Sequence, residues 1–447
     1  MRANIRSMLL FATTACLPVG LAAAQVAPAP APTVQVARTP APQVAPTPQG
    51  APTPQGAPPA AVVPAPPPAP VVLPPLIWQI SDVQQLLAVI RSIGVEGLDP
   101  RDYDPEGLIR TMQTGDPMAI SAAATDRFNL VSYDLALGHV RGKDRIGWHV
   151  VDTDLDVATQ RQMLEVALAT HRIAPVLQTL LPTHPQYGAL KTALTVAKPT
   201  DTALVNRIKL NMDRWRWLPR DLGPKYIIVN VPAFHATLVE NGVTRWKHRA
   251  IAGAIKTPTP QLNVMATGVI LNPWWEVPPS ITKEVAGKPG YVALRGEDGK
   301  IKRWRQLPGP NNALGQLKFV MYNPYNIYLH DTNARSRFNA QSAGRALSHG
   351  CVRTEHVLDL ATQLLSDDGG EWTPEKIAET LASKKMKQAN FVKPVPVYIV
   401  YFSVAALTDG TIVKYSDLYK RDAKVIAALL DRDGAPETKP ASKVATK

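Results

Sequence analysis

The chain has 447 residues, 45% of them hydrophobic, and a formal net charge of +13, which gives room for about two to three domains of ordinary size with real cores. Residues 1–75 hold Arg2, Arg6 and Arg38 and no acid, so +10 of the +13 remains on the rest and favours an anionic partner such as cell-wall polymer, acidic lipid or nucleic acid. No nucleic-acid module signature occurs, which argues against nucleic acid, and no stretch beyond the N-terminus approaches the ~20 apolar residues of a membrane span.

In chain order, residues 1–24 read as an export signal. Arg2 and Arg6 precede the apolar Met8–Leu21, and Ala22–Ala24 offers small residues for cleavage before Gln25. Thr13–Cys16 is a poor lipoprotein box, with Thr13 where an aliphatic residue belongs. Residues 25–75 are dominated by Ala, Pro, Val and Gln and repeat Ala-Pro-Thr-Pro-Gln-Gly at 45–50 and 51–56. So much proline predicts a disordered, extended linker whose physical role is reach. If Cys16 leaves with the signal, Cys351 is the one cysteine of the exported protein, and it has no partner for an intramolecular disulfide.

Residues 76–200 read as a helical scaffold domain. Val83, Leu86, Leu87 and Ile90 fall on one helix face, behind Ser81 as N-cap and ahead of Gly94 as stop. Asp104-Pro105 looks like a cap with proline in the first turn, and helical patterns run through 127–137, 157–169 and 176–181. Residues 201–224 hold a connecting helix over 203–217. From 225 to 432 the pattern turns β: strands are predicted at 226–231, 236–240, 243–247, 268–271, 317–321, 327–330 and 395–401. Asn241-Gly242 makes a hairpin turn between the second and third of these. A helix follows Cys351, with Val357, Leu358, Ala361, Leu364 and Leu365 on one face. The class is therefore α+β, a helical part followed by a β-rich part, with a disordered basic tail at 433–447.

Chemistry concentrates in Tyr328-Leu-His-Asp-Thr332 and Ser348-His-Gly-Cys-Val-Arg-Thr354. A cysteine nucleophile needs a base or another source of thiolate, donors for an oxyanion, and room for backbone approach. Cys351 is the candidate nucleophile, expected at the entrance of a helix where dipole and free N–H groups would lower its pKa. Either His330 or His349 could take its proton. A base delivered from a neighbouring strand end aims better than one two residues away, which favours His330. Gly350 lets the backbone turn and a carbonyl approach.

These residues resemble the L,D-transpeptidases of peptidoglycan, whose motif is His, a gap, then Ser/Thr-His-Gly-Cys, an aliphatic residue and Asn or Arg. Here His330 is followed, after residues 331–347, by Ser348, His349, Gly350, Cys351, Val352 and Arg353. Arg214–Arg220, Asn272–Ile281, Pro308–Gly315 and Asn323–Thr332 are similar to the large-scaffold branch of that family, and the likeness runs from about Leu76 to Leu430. The resemblance implies that Cys351 attacks the third-residue carbonyl of a donor stem and releases D-alanine. It gives His330 the thiol proton, with the Asp331 carbonyl orienting its ring, and gives the N–H groups around Gly350 and Cys351 the oxyanion. His349 and Ser348 would support the loop, Arg353 would anchor the loop or a substrate carboxylate, and Tyr328 and Trp275 would line the groove. A diaminopimelate amine on an acceptor stem would resolve the acyl-enzyme into a 3-3 cross-link. Lys198–Thr202 joins scaffold to catalytic domain with no wall-binding module between them, and the lid, about 282–306, is short.

The resemblance implies a periplasmic protein whose partners are donor and acceptor stem peptides, with cell-wall synthesis proteins as further candidates. No cofactor, bound metal or nucleic acid is expected. A zinc site on His330, His349, Cys351 and His356 lacks the paired short spacings such sites use. Other readings are a stem-peptide hydrolase, a transpeptidase that attaches a protein to the wall, and a non-enzymatic wall-binding protein.

Overall fold

The computed structural model describes residues 75–407 and 409–431; the expected export signal, nearly all of the spacer and the basic tail lie outside the described residues. The first helix, α1, spans Ile80–Ser92 and buries Val83, Leu86, Leu87 and Ile90. It starts two residues earlier than its sequence signal, behind Gln79 rather than Ser81. Trp78 explains the shift: its backbone N–H donates to Ser121 Oγ and its indole to Thr125 Oγ1, both at 3.0 Å, which fixes the chain before the helix begins. The stop also differs. A 3-10 turn covers Ile93–Glu96, and Gly97 at φ +78°, not Gly94, supplies the left-handed exit.

Three further helices begin at an Asp cap followed by proline or a first-turn N–H: α2 (Pro105–Gln113) behind Asp104, α3 (Pro117–Leu137) behind Asp116, and α4 (Val157–Thr170) behind Asp156. Next come α5 (Ile173–Gln178, where 176–181 was expected), α6 (Pro185–Val196) and α7 (Thr202–Arg216). Asp213, Arg214 and Arg216 of α7 are buried. Asp213 accepts from the N–H of His139 and Val140 and from the Trp217 indole, and Arg214 pairs with Asp422 at 2.9 Å. Removing one partner would strand a buried charge, so α7 locks the helical part to the C-terminal end.

The β-rich part follows: β1 (Lys225–Asn230), β2 (His235–Glu240), β3 (Val243–Gly253), β4 (Leu262–Leu271), β5 (Trp275–Glu276), α8 (Thr282–Val285), β6 (Tyr291–Arg295), β7 (Ile301–Gln306), β8 (Leu317–Met321), β9 (Leu329–His330), β10 (Ala346–Ser348) and β11 (Val352–Thr354). Then come α9 (Val357–Ser366), α10 (Pro374–Ala382), β12 (Lys387–Val400), β13 (Val404–Ala406), β14 (Ile412–Lys414) and α11 (Asp422–Leu430). Asn241 and Gly242, at φ +49° and +76°, make the turn between β2 and β3. The main sheet runs β10-β3-β11-β9-β8-β4-β12-β1-β2, and β2 also pairs with β3, so the sheet closes on itself. Ile227, Leu238, Val269, Phe319, Leu329, Val352 and Val397 share one core with the apolar face of α9.

Two strands are longer than the sequence pattern suggests. β3 continues past Lys247 because Ala250 and Ile251 pair with β11. β12 begins at Lys387, and a register shift between Asn390 and Val395 accommodates its prolines. β9 is shorter, since Asn323 Oδ1 takes the N–H groups of Tyr325 and Ile327 into a loop. The expected lid segment is a small sheet, ordered β5-β7-β6, with its own core of Val277, Ile281 and Val285 under Trp275, Tyr291 and Trp304.

Candidate active site

Cys351 sits in the tight turn between β10 and β11, and α9 starts only at Val357. The expected helix entrance is therefore corrected: Cys351 precedes a strand, and α9 begins six residues later. The turn is held instead by side chains. Ser348 Oγ accepts from the Gly350 N–H at 3.1 Å and donates to the Cys351 carbonyl at 2.5 Å. Thr259 Oγ1 donates to the Gly350 carbonyl at 2.8 Å, and Thr257 Oγ1 and the Ala254 N–H donate to the Ser348 carbonyl. Gly350 has φ +120°, and a Cβ there would stand 3.1 Å from Ile327 Cδ1. Because Ser348 occupies the Gly350 N–H, that group is not free for an oxyanion. Among the described residues the Cys351 N–H has no acceptor, and it is the available donor.

β9 lies parallel to β11 with His330 opposite Arg353. His330 and Cys351 thus open onto one cleft of about 580 Å³, shared with Trp275, Lys318, Tyr328, His349 and Arg353. The Cys351 thiol donates to the Asn326 carbonyl at 3.5 Å. Burial pushes the thiol up from its ordinary value, while Tyr328, Lys318 and Arg353 work against that rise. The imidazole of His330 is pushed down to about 3, first by burial and then by Arg353. Its Nδ1 makes no hydrogen bond of good geometry, although the neighbouring Asp331 carbonyl opposes the downward shift. Both shifts favour the neutral forms in this cleft, a thiol on Cys351 and an imidazole on His330.

Residues 224–399 match the L,D-transpeptidase catalytic domain family called YkuD, and residues 75–194 match a scaffold domain family. These matches give the chain an L,D-transpeptidase catalytic domain and a scaffold domain. It is 28% identical over 295 residues to a Haemophilus influenzae protein named, by inference, an L,D-transpeptidase. That match covers 60% of this chain, and the chain spans only 59% of the relative's length. Among solved structures it is 11% identical to a mutant of the Enterococcus faecium L,D-transpeptidase, over 41% of this chain and 52% of that one, with a TM-score of 0.23. An L,D-transpeptidase from Mycobacterium smegmatis is 14% identical over 40% and 58%, with a TM-score of 0.21.

Within this L,D-transpeptidase domain the other expected residues take distinct places. His349 is exposed, lines the cleft and makes no hydrogen bond to the loop it was expected to support; Ser348 does that work. The Asp331 carboxylate points to Gln316 N–H and Arg335, at 2.9 and 3.1 Å. Arg353 has a buried Nε with no hydrogen bond and joins no ion pair. Tyr328 packs edge-on to His330 with ring centroids 5.7 Å apart, and Trp275 packs edge-on to Tyr291 from the lid sheet. Of the residues of the zinc alternative, His330, His349 and Cys351 line the cleft, while His356 stands apart with His248 and Glu355, whose carboxylate takes Arg249.

Lys318 was missed. It pairs across the sheet with His330, its Nζ lies 5.0 Å from the Tyr328 ring centroid, and burial pulls its pKa down while Cys351 opposes that shift. The signal was a single charge inside the apolar strand Leu317-Lys-Phe-Val-Met321. The scaffold part also reaches the cleft, where His149 Nδ1 meets Tyr325 Oη at 2.8 Å.

Proposed function

We propose that this protein cross-links peptidoglycan stems by 3-3 bonds through a thioester on Cys351. The observation that carries the reading is a cysteine on a braced turn, its own N–H unbonded, sharing a cleft with His330, Lys318 and Arg353. Cys351 Sγ attacks the third-residue carbonyl of a tetrapeptide stem and passes its proton to the neutral His330 imidazole. The S–C bond forms, the C–N bond to the terminal D-alanine breaks, and the proton leaves on the D-alanine amine. A diaminopimelate side-chain amine of a second stem then attacks the thioester and frees the thiol.

His330, pushed down to about 3, is a weak base at rest, so proton transfer accompanies attack rather than preceding it. Lys318 and Arg353 offset the charge as it develops on sulfur, and the Cys351 N–H supplies the oxyanion donor. A cell-wall or periplasmic location follows from such a substrate. The test is intact-protein mass spectrometry and product analysis with a disaccharide-tetrapeptide donor. Wild type should release D-alanine and form a dimer, and Cys351→Ala should do neither. Cysteine-dependent release with only shortened monomer would replace the transferase with a hydrolase, and identical behaviour of the two proteins would remove the enzyme reading.

A further inference from the structure

A second cleft, of about 710 Å³, lies on the outer face of β1, β2 and β3 and shares no lining residue with the Cys351 cleft. Its floor follows from strand periodicity. Ile227, Val229 and Leu238 point into the core, so Tyr226, Ile228 and Asn230 of β1 and His235, Thr237 and Val239 of β2 point out. The register sets them in cross-strand rungs: Tyr226 beside Val239, Ile228 beside Thr237, Asn230 beside His235, and Thr237 in turn beside Lys247 of β3. The helical part forms one wall with His184, whose ring stacks on Trp215 at 4.1 Å, and Trp215 stacks on Phe402 at 4.5 Å. Tyr415, beyond β14, forms another.

Asn230 on this floor pairs with the Phe402 backbone and His235 with the Ala233 carbonyl, but other polar groups are unspent. Among the described residues, the side chains of Thr237, Thr244 and Lys247 make no hydrogen bond or ion pair, nor do the hydroxyls of Tyr226 and Tyr415. Burial holds His184 down to about 4, so it presents a flat neutral ring. A groove that presents the half-buried rings of His184 and Tyr415, single hydroxyls and one unpaired ammonium suits a ligand with apolar sugar faces, many hydroxyls and scattered negative charge.

We propose that this groove binds a glycan strand of acidic amino sugars, and so holds the enzyme on the wall while Cys351 works on stems at the other cleft. The proposal rests on the peptidoglycan reading above and adds a site for the sugar chain. It answers the absence of a separate wall-binding module between residues 198 and 202 with a surface built jointly by the helical and β-rich parts.

The test uses full-length Cys351→Ala protein and peptide-stripped glycan chains, which carry free carboxylates but no stem. Wild-type groove protein should bind these chains, and Thr237→Trp, which fills the floor, should weaken binding by roughly tenfold or more. Lys247→Ala, at an exposed position on β3, should weaken it by roughly tenfold as well, and more at low salt than at high salt. With Cys351 restored, both groove variants should keep wild-type D-alanine release from a soluble disaccharide-tetrapeptide. Binding of stripped chains that neither substitution changes would overturn the proposal, as would no binding at all. Loss of turnover on the short donor in both variants would overturn it too, since the groove would then serve the fold. A donor assay that fails in wild type itself would instead strike the parent reading.

Discussion

Thr259 Oγ1 donates to the Gly350 carbonyl at 2.8 Å and accepts from the Gly253 N–H at 2.8 Å, so one buried hydroxyl fixes the peptide before the nucleophile to the end of β3. Tyr419 extends the clamp, accepting from the Thr259 N–H and donating to the Gly253 carbonyl. Thr259→Val keeps the shape and leaves a buried donor and acceptor unpaired, which costs about 1–3 kcal/mol of stability. Acylation of Cys351 should slow by about tenfold, the kinetic size of a loss near 1.4 kcal/mol. Thr259→Ser should restore both. Thr259 is a positioning residue, so the pH midpoint of thiol alkylation should stay in place while the acylation rate falls. A moved midpoint would mean that the hydroxyl acts on the thiol's charge.

Lys318 makes the opposite kind of contribution. Its ammonium faces Cys351 and Tyr328 from β8, and with Arg353 it opposes the rise that burial imposes on the thiol. Lys318→Met should push the alkylation midpoint of Cys351 further up and slow adduct formation with a carbapenem by roughly tenfold at pH 7. Lys318→Arg should recover part of the rate. Time-resolved intact-mass spectrometry reads both, with Cys351→Ala as the protein that gains no adduct. An unchanged midpoint in Lys318→Met would leave the thiol's activation to Arg353 and Tyr328.

The contrast between these two residues marks where sequence reading succeeds and where it stops. The α+β class, the helical face of α1 and the Asn241-Gly242 hairpin depend on local periodicity and turn chemistry, and these are written in neighbouring residues. Thr259 lies in Thr-Pro-Thr-Pro, which reads as a plain loop, because its partner Gly350 is 91 positions away. The helix entrance assigned to Cys351 failed for a related reason. An apolar helical pattern does begin nearby, but β11 intervenes, and its pairing with β3 and β9 is a long-range event. The prolines of β12 hid half of a central strand behind a composition that local rules assign to loops.

Buried histidines set the acid side of stability. His330 is down to about 3 and His184 to about 4, both chiefly by burial. A group whose folded value lies below its unfolded value near 6.5 binds its proton more readily when unfolded, so its contribution is complete above pH 6.5 and is lost as pH falls toward the folded value. His139 runs the other way. Asp134 at 2.7 Å overcomes burial and raises it to about 9, so its contribution is complete below pH 6.5 and is lost as pH rises through about 9. Thermal midpoints should therefore fall between pH 6.5 and 4. His330→Gln should flatten that acid limb and leave the alkaline one, whereas His139→Gln should flatten the alkaline limb. An acid limb unmoved by His330→Gln would mean that His330 is protonated in the folded protein.

Arg353 offers a test of how the donor is recognised. Burial lowers its pKa, Cys351 opposes that shift, and its Nε is buried without a hydrogen bond. A guanidinium in that state gains strongly from a carboxylate that arrives with the substrate. Arg353→Ala should raise KM for a tetrapeptide donor by about tenfold to a hundredfold, the span expected when one charge-assisted contact is lost. Capping the terminal D-alanine as an amide should cost the wild type a similar factor and cost Arg353→Ala almost nothing further. Arg353→Lys should recover charge but not the fork geometry, and should fall between the two. If Arg353→Ala instead lowers kcat equally for acid and amide donors and leaves KM unchanged, its guanidinium acts only on the sulfur charge beside Lys318, and the stem carboxylate is bound elsewhere.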